Sequence, residues 1–173
     1  QNLVRDLENG YFDKLLLTPV SRIALLSGHV LAGSFILVLQ AAIVVTIGLM
    51  LGLESATGIP GLLVVLGISL LLGTGFSGFS VWVALRTGNA AATGGAQFAF
   101  FPFTFLTATF VPIDLLGGWL QTVARLNPIT YILDAMRSVL LTGWVAEDLL
   151  AGLAACALLG IIPFIFALRG LAA

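Results

Sequence analysis

Two long stretches of this chain carry no charge. No Asp, Glu, Lys or Arg lies between Arg22 and Glu54, and none lies between Glu54 and Arg86. Crossing roughly 30 Å of hydrocarbon takes about 20 predominantly apolar residues, and both intervals exceed that. Charged residues make up 9% of the chain, against about 25% in a soluble domain. So few charges cannot cover a water-facing surface. The expected fold is all-α: a polytopic membrane protein with four transmembrane helices, a cytoplasmic amphipathic helix and an external re-entrant helical hairpin.

Residues 1–22 are the most polar stretch, with Arg5, Asp6, Glu8, Asp13, Lys14 and Arg22. Leu15, Leu16 and Leu17 precede Thr18-Pro19. This pattern reads as a short amphipathic helix at the membrane surface, ended near Pro19 because proline disfavours helix in the residue before it. The segment 23–173 reads as the transmembrane domain. Its first span is expected over 23–53, long enough to tilt, with His29 near one end and Gln40 deeper. A polar loop, Glu54 to Gly58, leads to a second span over 60–85. Pro60 opens that span, since proline is tolerated in a first helical turn. The third span, 90–111, is rich in Phe, and Pro102 near its middle predicts a kink or local unwinding. The last span is expected over 146–168, with Arg169 just beyond.

Residues 112–144 fit neither a loop nor a span. Leu115, Leu116, Trp119, Leu120 and Val123 recur at helical spacing, with Asp114, Gln121, Thr122 and Arg125 between them. Asn127-Pro128 then supplies an N-cap followed by proline at the first helical position. A second short helix, Ile129 to Leu141, carries Asp134 and Arg137 three apart, where they can pair, and Gly143 ends it. Two half-length helices in sequence read as a re-entrant or interfacial hairpin.

Lysine and arginine placement sets the orientation. With four spans, both ends share a side that holds Arg5, Lys14, Arg22, Arg86 and Arg169; the other side holds Arg125 and Arg137. Both termini are therefore expected in the cytoplasm of a cell-membrane protein. The hairpin then faces outward, with Trp119, Tyr131 and Trp144 in the outer aromatic belt and Trp82 near the inner one. The chain opens on Gln1, and the mixed charges of residues 1–22 make no positively charged n-region with a cleavage site before the first span. No signal peptide is expected, and the segment is expected to begin inside a longer protein.

Few motifs suggest chemistry. Gly73-Thr74-Gly75-Phe76-Ser77-Gly78 matches the dinucleotide pattern, but it lies inside a span and no acid follows at the required distance. Ser69, Gly73 and Ser77 recur every four residues, a pattern that lets membrane helices approach closely. Gly75-Phe76-Ser77-Gly78 is also similar to the serine motif of rhomboid proteases. An intramembrane serine protease needs a histidine base, and His29 is the single histidine, on an earlier helix. That alternative would make Ser77 and His29 catalytic. The more economical reading makes His29 a polar residue near the membrane boundary. Cys156 is the single cysteine and reads as a small apolar residue in an apolar run. No metal-ligand cluster or P-loop is present in the sequence. A net charge of −1 gives no field for nucleic acid.

Two regions together resemble the type 2 permease subunits of ATP-binding-cassette exporters, closest in flavour to the daunorubicin-resistance type. One runs from Val4 to Arg22, with Glu8-Asn9-Gly10, the leucine cluster and Thr18-Pro19-Val20-Ser21-Arg22. The other runs from Phe105 to Arg137. It includes Phe110-Val111-Pro112-Ile113-Asp114, Leu126-Asn127-Pro128-Ile129-Thr130-Tyr131 and Asp134-Ala135-Met136-Arg137. Asn9 and Tyr11 depart from the family, which usually has Arg before this glycine and a small hydroxyl residue after it.

The resemblance implies a fold and roles. The chain would correspond to the later part of a six-span domain: a coupling segment plus spans three to six. Residues 5–19 would dock into a separate ATPase subunit, with Glu8, Gly10, Leu15, Thr18 and Pro19 at the matching positions. Asn127, Pro128 and Arg137 would belong to an external gate. The chain itself would bind no cofactor, ATP and magnesium residing on the partner, and the permease would work as a homodimer or heterodimer. The implied activity is export of a lipophilic drug-like or lipid substrate. The alternative within the class is a type 2 exporter of polysaccharide or other cargo. In either case the chain would be a transporter subunit, not an enzyme.

Overall fold

The computed structural model describes residues 22–87, 89, 93–95, 98, 101–107 and 113–170. Helix α1 spans Arg22–Met50 and α2 spans Gly58–Thr87. A short helix α3, Phe101–Phe105, precedes a single 3-10 turn at Ile113–Leu115. Helices α4 (Gly118–Leu126) and α5 (Pro128–Arg137) fill the segment where the hairpin is expected and meet at Asn127, and a π-helical turn, Ser138–Thr142, extends α5. Helix α6, Ala146–Gly170, follows. No strand occurs among the described residues.

Helices α1 and α2 are apolar on every side, unlike a helix with one face in water. Large apolar side chains point outward along α1, among them Phe35, Val44 and Met50. That arrangement inverts the soluble rule and suits a lipid solvent. By length and composition, Ser27–Met50 and Gly58–Ala84 are each able to cross a membrane. They are the two described helices that meet both criteria.

Local chemistry sets the helix ends. Helix α1 stops at Met50, short of the expected Leu53. Gly52 takes a left-handed backbone (φ 95°). Its N–H donates to Leu49 O at 3.1 Å, and the Leu53 N–H donates to Gly48 O at 2.9 Å. This paired closure is the Schellman motif, which glycine enters without a Cβ penalty. Helix α2 begins at Gly58, with Pro60 in its first turn where its missing N–H is not needed. Within 90–111, residues 93–95, 98 and Phe101–Phe105 are helical. A bend follows at 106–107, and the turn before Pro102, where the kink is expected, lies partly outside the described residues.

Helix α2 is the centre of the assembly, with α1 on one side and α6 on the other, while α5 lies against α6. Lipid tails are as apolar as leucine, so close packing rather than exclusion of water holds such helices together. Small residues make it possible. A Cβ on Gly73 would come within 2.8 Å of the Ser34 backbone in α1. One on Gly75 would come within 2.6 Å of the Leu159 carbonyl oxygen in α6. Ser77 packs directly against Gly33. The glycine-rich stretch is thus a two-sided packing face: Gly73 and Ser77 receive α1, and Gly75 receives α6. Ile68, Ile132, Ala135, Ala155 and Cys156 form a buried cluster that joins α2, α5 and α6.

Candidate functional site

Asn127 is the joint between α4 and α5. It is buried between α4 and α5, and every polar group it carries is used. Its Oδ1 accepts from the Ile129 N–H at 3.0 Å, capping α5. Pro128 follows at the first helical position. The Asn127 N–H donates to Ala124 O at 3.3 Å, closing α4, and its carbonyl accepts from the Thr130 N–H at 3.1 Å. Its Nδ2 donates to Leu106 O at 3.3 Å. One residue therefore ends one helix with its backbone N–H, while its side chain starts the next and ties the joint to the residues after α3. The Tyr131 hydroxyl adds a bond to Arg125 O at 2.7 Å across the same joint.

Helix α5 lies very close to α6. A Cβ at Gly152 would collide with the Ala135 side chain and come within 3.0 Å of Tyr131 O. Ile132 and Ala135 are buried there. Below the joint, Leu126, Pro128, Tyr131, Ala151 and Leu158 line a groove of about 370 Å³. A larger apolar groove, about 450 Å³, opens between α1, α2 and α6, lined by Val30, Leu31, Leu71, Ala157 and Gly160. Thr130 is fully buried, and its Oγ1 has no hydrogen-bond partner among the described residues.

On the other edge of α5, Arg137 donates to the Asp134 carboxylate at 3.0 Å, the pair that the i, i+3 spacing predicts. Burial nevertheless pushes the Asp134 carboxyl above its ordinary value of 3.8. Arg137 pulls it down, and Asp148 at the start of α6 pushes it further up. Desolvation outweighs the ion pair here, so the pair is weakly favourable at most.

Past Arg137 the helix widens into the π turn and ends at Gly143 (φ 123°), whose N–H donates to Ser138 O at 2.7 Å. The last carbonyls of a helix have no partner within it. Two of them are taken up by the loop between α1 and α2. The Thr57 hydroxyl donates to Val139 O at 2.7 Å, and the Ala56 N–H donates to Leu140 O at 2.9 Å. Thr57 and Ala56 carry no local signal for this role, because they lie more than eighty residues away along the chain.

The coupling positions Glu8, Gly10, Leu15, Thr18 and Pro19 lie outside the described residues. Asn127, Pro128 and Arg137 fall on one short element, at its cap, its first position and its last turn. Ser77 and His29 lie on the adjoining helices α2 and α1. The contact described for Ser77 is the packing against Gly33, one turn along α1 from His29. Among the described residues no group of His, Cys, Asp and Glu could hold a metal ion.

Comparison with known proteins finds relatives over most of the chain. The family model for the ABC-2 type transporter matches residues 1–141. The chain is 29% identical over 145 residues to the daunorubicin resistance ABC transporter permease protein DrrB1 of Streptomyces coeruleorubidus, covering 80% of this chain and 50% of that protein. It is 24% identical over 149 residues to the probable doxorubicin resistance ABC transporter permease protein DrrC of Mycobacterium tuberculosis, covering 86% and 54%. It is 28% identical over 137 residues to the putative transport permease ycf38 of Cyanophora paradoxa, covering 78% and 47%. The chain thus spans about half the length of the curated relatives it matches. No solved structure matches it significantly. With a family match over most of its length and an all-helical fold built on long apolar helices, the chain belongs to the ABC-2 type transporter family.

Proposed function

We propose that the chain is part of the membrane permease of an ATP-binding-cassette exporter, driven by a separate ATPase subunit. The observation that carries this reading is the extent of the family match. It runs over residues 1–141 and takes in both the Glu8–Pro19 segment and the hairpin. In this reading four helices cross the membrane, around 23–53, 60–85, 90–111 and 146–168. Both ends face the cytoplasm, as the five-against-two distribution of cationic residues favours. Residues 1–22 dock on the ATPase, with Glu8, Gly10, Leu15, Thr18 and Pro19 at the contact. The hairpin over 112–144 faces outward as a gate, held by Asn127, Pro128 and Arg137. Two permease copies, identical or different, enclose the pathway. Closure of the ATPase pair pushes the coupling segments, and rigid-body rocking alternates access.

The substrate is a lipophilic, drug-like or lipid molecule. Two observations support that class: relatives named for daunorubicin and doxorubicin resistance, and the Phe-rich stretch over 90–111. Efflux assays with anthracyclines against an exported polysaccharide separate this cargo from its alternative. Catalysis by Ser77 has no comparable support, since its contact with Gly33 makes it a packing residue.

The test is co-purification. The full permease, expressed beside its ATPase, is expected to bring that subunit down, and Glu8→Ala with Gly10→Val is expected to release it. Failure to retain any ATPase in membranes or detergent overturns the reading.

A further inference from the structure

The two bonds between the α1–α2 loop and the end of α5 have a mechanical consequence. Each uses a carbonyl that a regular helix end leaves unpaired, and the π turn holds both within reach of one short loop. The loop is itself braced: the Gly58 N–H donates to Ser55 O at 3.1 Å, and the Ser55 hydroxyl donates to Gly58 O at 3.3 Å. Val139 is fully buried. Gly61, one turn into α2, leaves room for the contact, since a Cβ there would come within 2.8 Å of Val139 Cγ1 and would strike Thr57. Among the described residues helix α4 makes no such bond to a segment far along the chain; its Gln121 Nε2 donates to Ile113 O at 3.1 Å. Its main neighbours are the 3-10 turn and α5, and Trp119 and Leu126 are exposed on it.

We propose that Thr57, Ala56 and the π turn form a latch that fixes the α5 arm of the hairpin to the loop between α1 and α2. Thr57 and Gly61 are its positioning residues. The ends of α1, α2, α5 and α6 that meet there then move as one body. Any displacement of the hairpin during transport falls on α4, about the Asn127 joint. This last step rests on the reading of the hairpin as a gate; the latch itself does not.

Hydrogen exchange resolved to single amides tests both, using the full permease–ATPase complex in lipid nanodiscs, with and without ATP under non-hydrolysing conditions. The Ala56 amide is expected to be protected equally in both states, while amides in 118–126 change with ATP. Thr57→Val is expected to speed Ala56 exchange about fivefold to tenfold, as for loss of one supporting hydrogen bond, and Thr57→Ser to restore it. Exchange of Ala56 at free-loop rates in the resting wild-type protein overturns the latch, as does loss of its protection with ATP. A protected Ala56 with no ATP response in 118–126 keeps the latch and overturns the assignment of gating movement to α4.

Discussion

The two helical arms that meet at Asn127 have similar lengths and, among the described residues, opposite attachments. Helix α5 packs on α6 so closely that Gly152 cannot carry a side chain, and its end is bonded to the α1–α2 loop. Among the described residues helix α4 meets mainly its sequence neighbours and turns Trp119 and Leu126 outward. Both sequences are amphipathic, so hydrophobic periodicity alone does not distinguish them. The difference comes from what each apolar face meets. Ile132 and Ala135 meet another helix, whereas Trp119, 72% exposed, meets the surroundings of the chain. The lesson is that an amphipathic stripe beside a membrane specifies a boundary, and small residues on a neighbouring helix decide whether that boundary becomes a joint.

Substitutions on the two arms should therefore differ in cost. The largest effect is expected from Gly152→Val, which forces the Tyr131 backbone and Ala135 off α6. Backbone cannot yield cheaply, so a loss of about 3 kcal/mol is expected, at the upper end for overpacking. Thermal unfolding in detergent measures it, and a shift indistinguishable from wild type would mean that α5 is not seated on α6.

Asn127→Ala comes next. It removes a helix cap and the donor to Leu106 O, for a combined loss of about 2 kcal/mol. Asn127→Asp keeps the cap and loses the donor, so it should fall between the two if both bonds contribute.

Asp134 gives a smaller effect with a defined sign. Its carboxyl is raised in the fold, so folding favours the protonated form relative to the unfolded chain. Its contribution is fully present below the ordinary value of 3.8 and declines as pH rises through the raised value. Asp134→Asn should flatten that decline in a pH series of melting temperatures. A wild-type stability that instead rises across this window, with the rise abolished in the variant, would show that the Arg137 pair outweighs burial. Smallest of all, Trp119→Ala should change stability by less than about 0.5 kcal/mol, as expected where no buried contact is lost. A loss of several times that would place Trp119 inside a packed interface.

The sequence made some of this arrangement legible and left other parts silent. Asn127-Pro128 announced a cap and a helix start because capping is local chemistry. Asp134 and Arg137 announced a pair because three residues is less than one helical turn. The Ser69, Gly73 and Ser77 repeat announced close packing, yet not its two-sided character, because Gly75 faces α6 through a partner far along the chain. The π turn and the Thr57 bond gave no advance signal. Val139 and Leu140 offer backbone carbonyls, which have no side-chain signature, and Thr57 reads as an ordinary loop residue. The stop of α1 at Met50 was hidden in the same way, since Gly52 follows an apolar run that continues to Leu53. The resemblance carried the family assignment where no single motif could.

The central proposal is an outward hairpin whose α5 arm is seated on α6 and whose α4 arm makes fewer contacts among the described residues. Thiol labelling tests it directly, in the full-length permease carrying Cys156→Ala, with a membrane-impermeant maleimide added to intact cells. A cysteine at the exposed position Thr122 should label readily, and one at the buried position Ile132 should not. Equal labelling at the two positions, or labelling of the Thr122→Cys variant only after the membrane is permeabilised, would contradict the account.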